Sequence, residues 1–280
     1  VKTEIKSGMS PKLLDIVENL PSKTGIYYIH NEKGDLIYIG KSKNIKKRVN
    51  QHFTGTSRKC KKIQMEVYTV TYEETGSELI ALLKESEEIK INKPIYNRAQ
   101  RKTIFQWALY PVKDENGYLK LSLQKTDGRK KEITSYTSIQ EGKNALFKIT
   151  DQFNLCQKIN GLYDTKNACF KYKIKECDGA CIGEITTEEY NSRVEEFIES
   201  SQFESDNMVV IDRGRSLEER SAILIENGIY KGYCFYDLNY QITNIEVLKN
   251  IIIPMQNNRD TKNIIQAYLR KHRVMKIIKL

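Results

Sequence analysis

The chain has 280 residues, 39% hydrophobic and 29% charged, a balance that supports a packed core and excludes a disordered or collagen-like polymer. Lys and Arg number 46 against 36 Asp and Glu, and the resulting charge of +10 suits a polyanionic partner. No run approaches the roughly 20 apolar residues that cross a bilayer, and the first ten residues hold no apolar signal core, so a cytoplasmic protein with no membrane partner is expected.

PKLLDIVENL, residues 11–20, is amphipathic, with Ser10 as its expected N-cap. TGIYYIH and DLIYIG are β-branched and aromatic runs joined by NEKG, a hairpin pattern. Ser42 is the expected cap of the next helix, along which Ile45, Val49 and Phe53 recur at helical spacing. EVYTVTYE reads as a strand, and SELIALLKESEEIKIN as a helix that ends before Pro94. The order β-β-α-β-α predicts a small α/β domain over residues 1–100.

In residues 101–202, two strand-like runs flank Asn116-Gly117, a helix is expected near Ile139–Phe153, and a second follows a cap at Thr186 or Thr187. In residues 203–280, MVVID, ERSAILIE, YKGYCFYDL and ITNIEVL read as strands. Asn227-Gly228 marks a further hairpin and TKNIIQAYLRKH a helix, together predicting an independent small α+β module.

Charge is unevenly placed. Lys41–Lys62 holds nine Lys or Arg and no carboxylate, whereas Ile63–Lys90 holds seven Glu and two Lys. Cleaving a phosphodiester needs an activated water, a cation at the phosphate, and usually a metal held by carboxylate. Lys41, Arg48 and His52 stand at i, i+7, i+11 and would share one side of a helix starting near Ser42. Tyr27 and Tyr38 lie on the two hairpin strands. Leu79, Ile80, Leu82, Leu83, Ser86 and Ile89 form the buried side of the later helix, with Glu85 at its border and Lys84, Glu87 and Glu88 outward. Taken singly, each of these groups reads as a solvated or core side chain.

Four of six cysteines, Cys156, Cys169, Cys177 and Cys181, fall within 26 residues. Four thiolates can hold an iron–sulfur cluster or a zinc ion, and four metal-free structural thiols are the plain alternative. The gaps lack the paired C-x₂-C knuckles of structural zinc, which favours a cluster. Cys60 and Cys234 are isolated and read as ordinary thiols.

GIYYIHNEKGDLIYIGKSKNIKKRVNQHF resembles the N-terminal half of a GIY-YIG nuclease domain, with Gly25-Ile26-Tyr27, Tyr38-Ile39-Gly40, Lys41 and Arg48 in order. LLKESEEIKINKPIYN resembles its second half, with Glu85 and Asn97. CFKYKIKECDGACIGEITTEEYNSRV is similar to the cysteine-rich segment of nucleases of the UvrC/Cho type. The resemblance implies a small mixed sheet flanked by helices, and a metal-dependent DNA endonuclease acting in nucleotide-excision-type repair. It places one Mg²⁺ or Mn²⁺ on Glu85. Tyr38 would position or deprotonate the water, with Lys41 as an alternative base and His52 as a proton carrier. Tyr27 would support Tyr38, Arg48 would neutralise the phosphate, and Asn97 would hold the geometry. The four cysteines would carry a 4Fe-4S cluster, with zinc as the alternative. The basic block and the tail after Arg270 would grip DNA.

TGSELIALLKESEEIKINKPIYNRAQR together with CFKYKIKECDGAC looks like a subgroup in which a DNA polymerase III epsilon-like exonuclease domain precedes the GIY-YIG domain. The start at Val1 is compatible with a C-terminal piece of such a protein and equally with a trimmed chain. A different reading is a non-catalytic DNA-binding or damage-sensing module with an iron–sulfur cluster. Residues 203–280 resemble no named family.

Overall fold

A computed structural model describes residues 9–127, 129–130, 132–201, 207–239 and 245–280. Helix α1 (Pro11–Glu18) starts with Pro11, and the Ser10 hydroxyl accepts the Leu13 N–H, the expected cap. Strands β1 (Gly25–His30) and β2 (Leu36–Ser42) form the hairpin.

Helix α2 (Ile45–Thr54) is capped by Asn44, whose side chain accepts the Lys47 N–H at 2.8 Å. Ser42 instead ends β2, and its hydroxyl accepts the Asn44 N–H at 3.0 Å. The helix therefore starts three residues beyond Ser42, and Lys41 lies on a strand, not on the helix with Arg48 and His52. Helix α3 (Arg58–Glu66) is an element that the sequence reading missed. Ser57 caps it and only Ile63 is buried, so RKCKKIQME offers almost no apolar periodicity. It takes the first residue of the expected strand EVYTVTYE, which begins later as β3 (Thr69–Glu74). Helix α4 (Glu78–Asn92) ends at a left-handed Lys93 before Pro94.

The sheet order is β2-β1-β3 with both ladders antiparallel, where a mixed sheet was expected. Two helices rather than one lie between β2 and β3 and return the chain to the far edge of β1 running opposite to it. Side chains alternate across β1 with period two. Tyr27 and Ile29 join Val17, Ile45, Val49, Phe53 and Ile63 on one face, while Ile26 packs with Ile39 and Ile89 on the other.

The middle segment folds around β4 (Trp107–Lys113), β5 (Leu119–Lys125) and β6 (Thr134–Tyr136), ordered β5-β4-β6 and antiparallel. Helix α5 (Ile139–Gln152), the single-turn α6 (Phe170–Lys173) and α7 (Thr187–Ser200) follow. Ser138 caps α5 and Thr186 caps α7. Leu109, Leu121, Leu146, Tyr190 and Val194 form its core with Cys156 and Cys169.

The last segment contains β7 (Met208–Arg213), β8 (Glu219–Glu226) and β9 (Ile229–Asp237). Helix α8 (Ile245–Ile251), β10 (Ile253–Pro254), α9 (Arg259–Lys271) and β11 (Lys276–Lys279) complete it. Its sheet runs β10-β9-β8-β7-β11. Asn227 and Gly228 both adopt positive φ, 52° and 69°, as a tight hairpin requires. ITNIEVL was expected as a strand. Residues 242–244 lie outside the described residues, and the remainder opens α8, where Leu248 packs against Val209, Ala222 and Leu224.

The described residues up to Thr103 and those from Asn207 onward form one compact unit, and the described residues between Ile104 and Ser201 form the other. The last segment thus builds into the first unit. It covers part of the face of α4 that the sequence assigned to solvent, at Lys84 and Glu87, and also engages Lys90. Lys84 reaches the Tyr233 hydroxyl at 3.2 Å, Glu87 accepts the Gln256 N–H at 3.0 Å, and Lys90 pairs with Asp260 at 2.6 Å. No helix among the described residues is long and apolar enough to cross a membrane.

Candidate active site

Three rings meet over the inner face of the hairpin. The hydroxyl of Tyr27 and Nε2 of His52 are hydrogen-bonded at 2.8 Å. The Tyr38 and His52 ring centres lie 5.0 Å apart edge to face, and those of Tyr27 and Tyr38 lie 6.0 Å apart. The Tyr27 and Tyr38 hydroxyls lie close enough to shift each other's titration. The glycine of the second motif makes this approach possible. A Cβ on Gly40 would lie 2.3 Å from the Tyr27 hydroxyl oxygen. Gly25 serves the sheet instead, since a Cβ there would sit 2.1 Å from the Glu73 carbonyl oxygen on β3.

Burial sets the protonation of these groups. Burial above all, then the two positive groups Arg48 and Lys59, lowers His52 to about 4, so its imidazole is neutral near pH 7. Burial and the Glu85 charge raise Tyr38, while the Tyr27 hydroxyl and Arg48 pull it down. Tyr27 stands well above its ordinary range, chiefly through burial.

Glu85 projects from α4 toward the end of β2. Its Oε1 accepts the Lys41 N–H at 3.2 Å, its one protein hydrogen bond among the described residues. Burial raises this carboxyl to about 7, although Lys41, Arg48 and Lys59 all favour its charge. The Lys41 ammonium turns to Glu78 at 2.9 Å, and Glu78 also takes Lys43 at 3.0 Å. Arg48 is exposed and donates to Gln51 at 3.2 Å, so it sits near Glu85 without being paired to it. Asn97 is buried in the turn after α4. Its side chain accepts the Ile39 N–H and donates to the Ile39 carbonyl, both at 2.9 Å, clamping the centre of Tyr38-Ile39-Gly40.

Two participants escaped the sequence reading. Lys59, on the missed helix α3, sits 4.1 Å from the Tyr38 ring centre, with its ammonium pushed down mainly by burial. Glu78 is the acceptor that holds the Lys41 side chain. The basic block contained the signal for Lys59, but no residue pattern distinguished it from its neighbours.

The second cluster lies in the middle unit. The Sγ atoms of Cys156, Cys169 and Cys181 lie within 4.8 Å of one another. Burial pushes the Cys169 thiol up, but the Tyr172 N–H and the thiols of Cys177, Cys181 and Cys156 outweigh it and lower the group. Cys177 influences the Cys169 thiol but lies outside the three-sulfur group. Burial raises Cys156 and Cys177.

Residues 23–98 match the family described as the UvrC-like GIY-YIG domain, and residues 106–200 the UvrC/Cho excinuclease middle domain. UvrABC system protein C of Alkaliphilus oremlandii is 28% identical over 258 residues, 89% of this chain and 41% of the relative. The protein of that name from Dictyoglomus thermophilum is 27% identical over 278 residues, 94% of this chain and 43% of the relative. The chain thus spans less than half the length of these relatives. A crystal structure of the GIY-YIG N-terminal endonuclease domain of UvrC from Thermotoga maritima, bound to its catalytic divalent cation magnesium, is 28% identical. It covers 32% of this chain and 99% of that one, with a TM-score of 0.30. Residues 23–98 therefore form a UvrC-type GIY-YIG endonuclease domain, and residues 106–200 a UvrC/Cho middle domain.

Proposed function

We propose that this chain hydrolyses phosphodiester bonds of DNA in nucleotide-excision-type repair, with a divalent cation held on Glu85. The observation that carries this reading is the Glu85 carboxylate, half-buried, raised to about 7 and bonded by one backbone N–H, yet surrounded by cations that do not pair with it. Such a carboxylate is incomplete without a positive ligand. A single carboxylate fits Mg²⁺ or Mn²⁺, ions that keep several waters and take phosphate oxygens. The ion supplies charge stabilisation at the scissile phosphate.

The other roles follow from the chain's own groups. Arg48, exposed and free of any carboxylate pair among the described residues, meets the charge growing on the phosphate. Glu85's negative charge helps keep Tyr38 protonated. Offsetting that charge, together with Arg48, would favour the Tyr38 phenolate, formed by release of its proton, and the phenolate is the form that takes the proton of the attacking water. Tyr27 and neutral His52 carry that proton onward along their hydrogen bond. Lys41 is held by Glu78, so its side chain braces the site and its N–H fixes Glu85. Asn97 holds β2 in place.

The four cysteines form a thiolate metal site, with a four-iron cluster favoured over zinc. The converging sulfurs fit either group. Iron, sulfide and zinc analysis of anaerobically purified protein decides between them. The pairing with an upstream epsilon-like exonuclease belongs to the same reading and is tested by the nucleotide sequence preceding the Val1 codon. The nuclease reading is tested by nicking of supercoiled plasmid with Mg²⁺ or Mn²⁺. Metal-dependent nicking that disappears in Glu85→Gln and Arg48→Ala is expected, and undiminished nicking in either variant overturns it.

A further inference from the structure

Two adjoining clefts, about 810 Å³ and 480 Å³, open beside the active site within the first unit. They share Thr24, Lys43, Gly76, Arg213 and Met275. One wall comes from the GIY-YIG domain and the other from the C-terminal segment. The junction is built closely. The Ser77 hydroxyl donates to buried Asp212 at 3.0 Å. Gly76, at φ 62°, passes so near the opposite loop that a Cβ would lie 1.9 Å from the Gly214 carbonyl oxygen.

Cations line both walls. Lys23, Lys43, Arg213, Arg215, Arg220 and Arg273 face three carboxylates, Glu74, Glu78 and Asp212. Each carboxylate is already engaged: Glu74 by Lys23 at 2.8 Å, Glu78 by Lys41 and Lys43, and Asp212 by Ser77. Arg215 is paired with Glu219 and lies 4.2 Å from the Phe235 ring. Arg213 and Arg273 are exposed and make no ion pair among the described residues. Glu78 connects this surface to the active site, because it holds the Lys41 side chain while the Lys41 N–H holds Glu85.

We propose that this cleft is a DNA-backbone subsite in which Arg213 and Arg273 of the C-terminal segment take phosphates flanking the one cleaved at Glu85. The proposal rests on the DNA-cleaving reading for its ligand. Surplus guanidinium charge on a fixed two-walled cleft suits a phosphate chain that is gripped without reading bases. It gives residues 207–280 a role as the second half of the substrate surface.

The test uses the full chain and a fluorescein-labelled 30-base-pair duplex titrated at several salt concentrations. Arg213→Ala/Arg273→Ala should weaken binding about tenfold or more near 0.1 M salt and reduce the log–log salt slope by about 2, one unit for each phosphate no longer held. Its cleavage at subsaturating protein should fall in proportion to the lost affinity. Arg213→Lys/Arg273→Lys, which keeps the charge, should retain most of the affinity. Should the alanine pair melt early, Arg213→Gln/Arg273→Gln replaces it under the same criteria. Unchanged affinity and slope in a normally melting variant overturns the proposal, as does equal loss in the lysine pair. Glu85→Gln should bind as wild type does. If wild type never cuts but the alanine pair still loses the slope, the subsite stands and the nuclease reading falls.

Discussion

The Lys41 backbone N–H donates to the Glu85 carboxylate across 3.2 Å, tying the end of β2 to the middle of α4 where a cation would be held. The bond is made by backbone, so Lys41→Ala keeps it, whereas the side-chain pair with Glu78 is lost. Glu85→Gln keeps an oxygen for the same N–H and removes only the charge. Cleavage should fall at least about a hundredfold in this variant, matching the several kcal/mol a catalytic cation contributes. In metal-free buffer at pH 8 the same variant should melt higher than wild type, because a desolvated charge has been removed. The gain should be about 1–3 kcal/mol, since each unit of a pKa shift is worth about 1.4 kcal/mol. Calorimetry and plasmid nicking measure the two effects, which run in opposite directions.

The raised carboxyl also fixes a pH dependence. Glu85 is held at about 7, above the ordinary carboxylate value of 4.5, so the folded state binds this proton more tightly than the unfolded chain does. Without metal, the contribution of Glu85 to stability is fullest below about pH 4.5 and is lost as pH rises to about 7. Protons and cations compete for the same oxygens. The acid limb of the cleavage profile should therefore move to lower pH as Mg²⁺ or Mn²⁺ concentration rises. A limb set by His52, which titrates at about 4, would lie lower and ignore metal. Profiles at two metal concentrations separate the two.

Much of this arrangement was legible from residue order because the motif residues carry their own geometry. Gly25 and Gly40 can only be glycine where β3 and the Tyr27 hydroxyl press against them, and that requirement surfaces as a fixed pattern. The alternation of Tyr27 and Ile26 across β1 likewise reads directly as two faces of a strand. Helix α3 did not read, because one buried residue in nine leaves no period to detect, and Lys59 was hidden with it. Lys84, Glu87 and Glu88 look like a solvated helix face, and Lys90 carries no signal of its own. Tyr233, Gln256 and Asp260, the partners of Lys84, Glu87 and Lys90, lie more than a hundred residues away, and no local pattern announces such pairing.

Gly40→Ala tests the approach of the two motif strands. The added methyl would meet the Tyr27 hydroxyl oxygen at 2.3 Å and the adjacent ring carbon at 2.4 Å, in a fully buried site. Relief requires the Tyr27 ring to move, which breaks its 2.8 Å bond to His52. Overpacking of this kind typically costs about 1–3 kcal/mol. Denaturant melts should show that loss, and cleavage should fall more steeply than DNA binding.

Asn97→Ala removes both ends of a clamp. The Ile39 N–H and carbonyl each lose a partner at 2.9 Å inside the core, and Gln100 loses its 2.8 Å donor. An unsatisfied buried group costs about 1–3 kcal/mol, so a loss of about 2–5 kcal/mol in unfolding free energy is expected. Asn97→Asp should be worse than its shape suggests, since the acceptor toward Ile39 N–H remains but the donor toward Ile39 carbonyl is replaced by a buried charge.

The Tyr27–His52 bond is best read through a double-mutant cycle. Tyr27→Phe leaves the His52 Nε2 without its 2.8 Å partner, and His52→Phe strands the Tyr27 hydroxyl in a site where both rings are buried. Each single change should lower stability by about 1–3 kcal/mol through the unpaired polar group. The double variant replaces both partners by apolar rings, so it should be more stable than the sum of the two losses predicts, with a coupling of about 0.5–3 kcal/mol. Cleavage should behave differently. If protons leave Tyr38 through this pair, either single variant lowers the rate as far as the double does, because a relay is broken once at any link. Rates that fall multiplicatively across the cycle would show that Tyr27 and His52 act separately, and Tyr38 would then hand its proton directly to solvent.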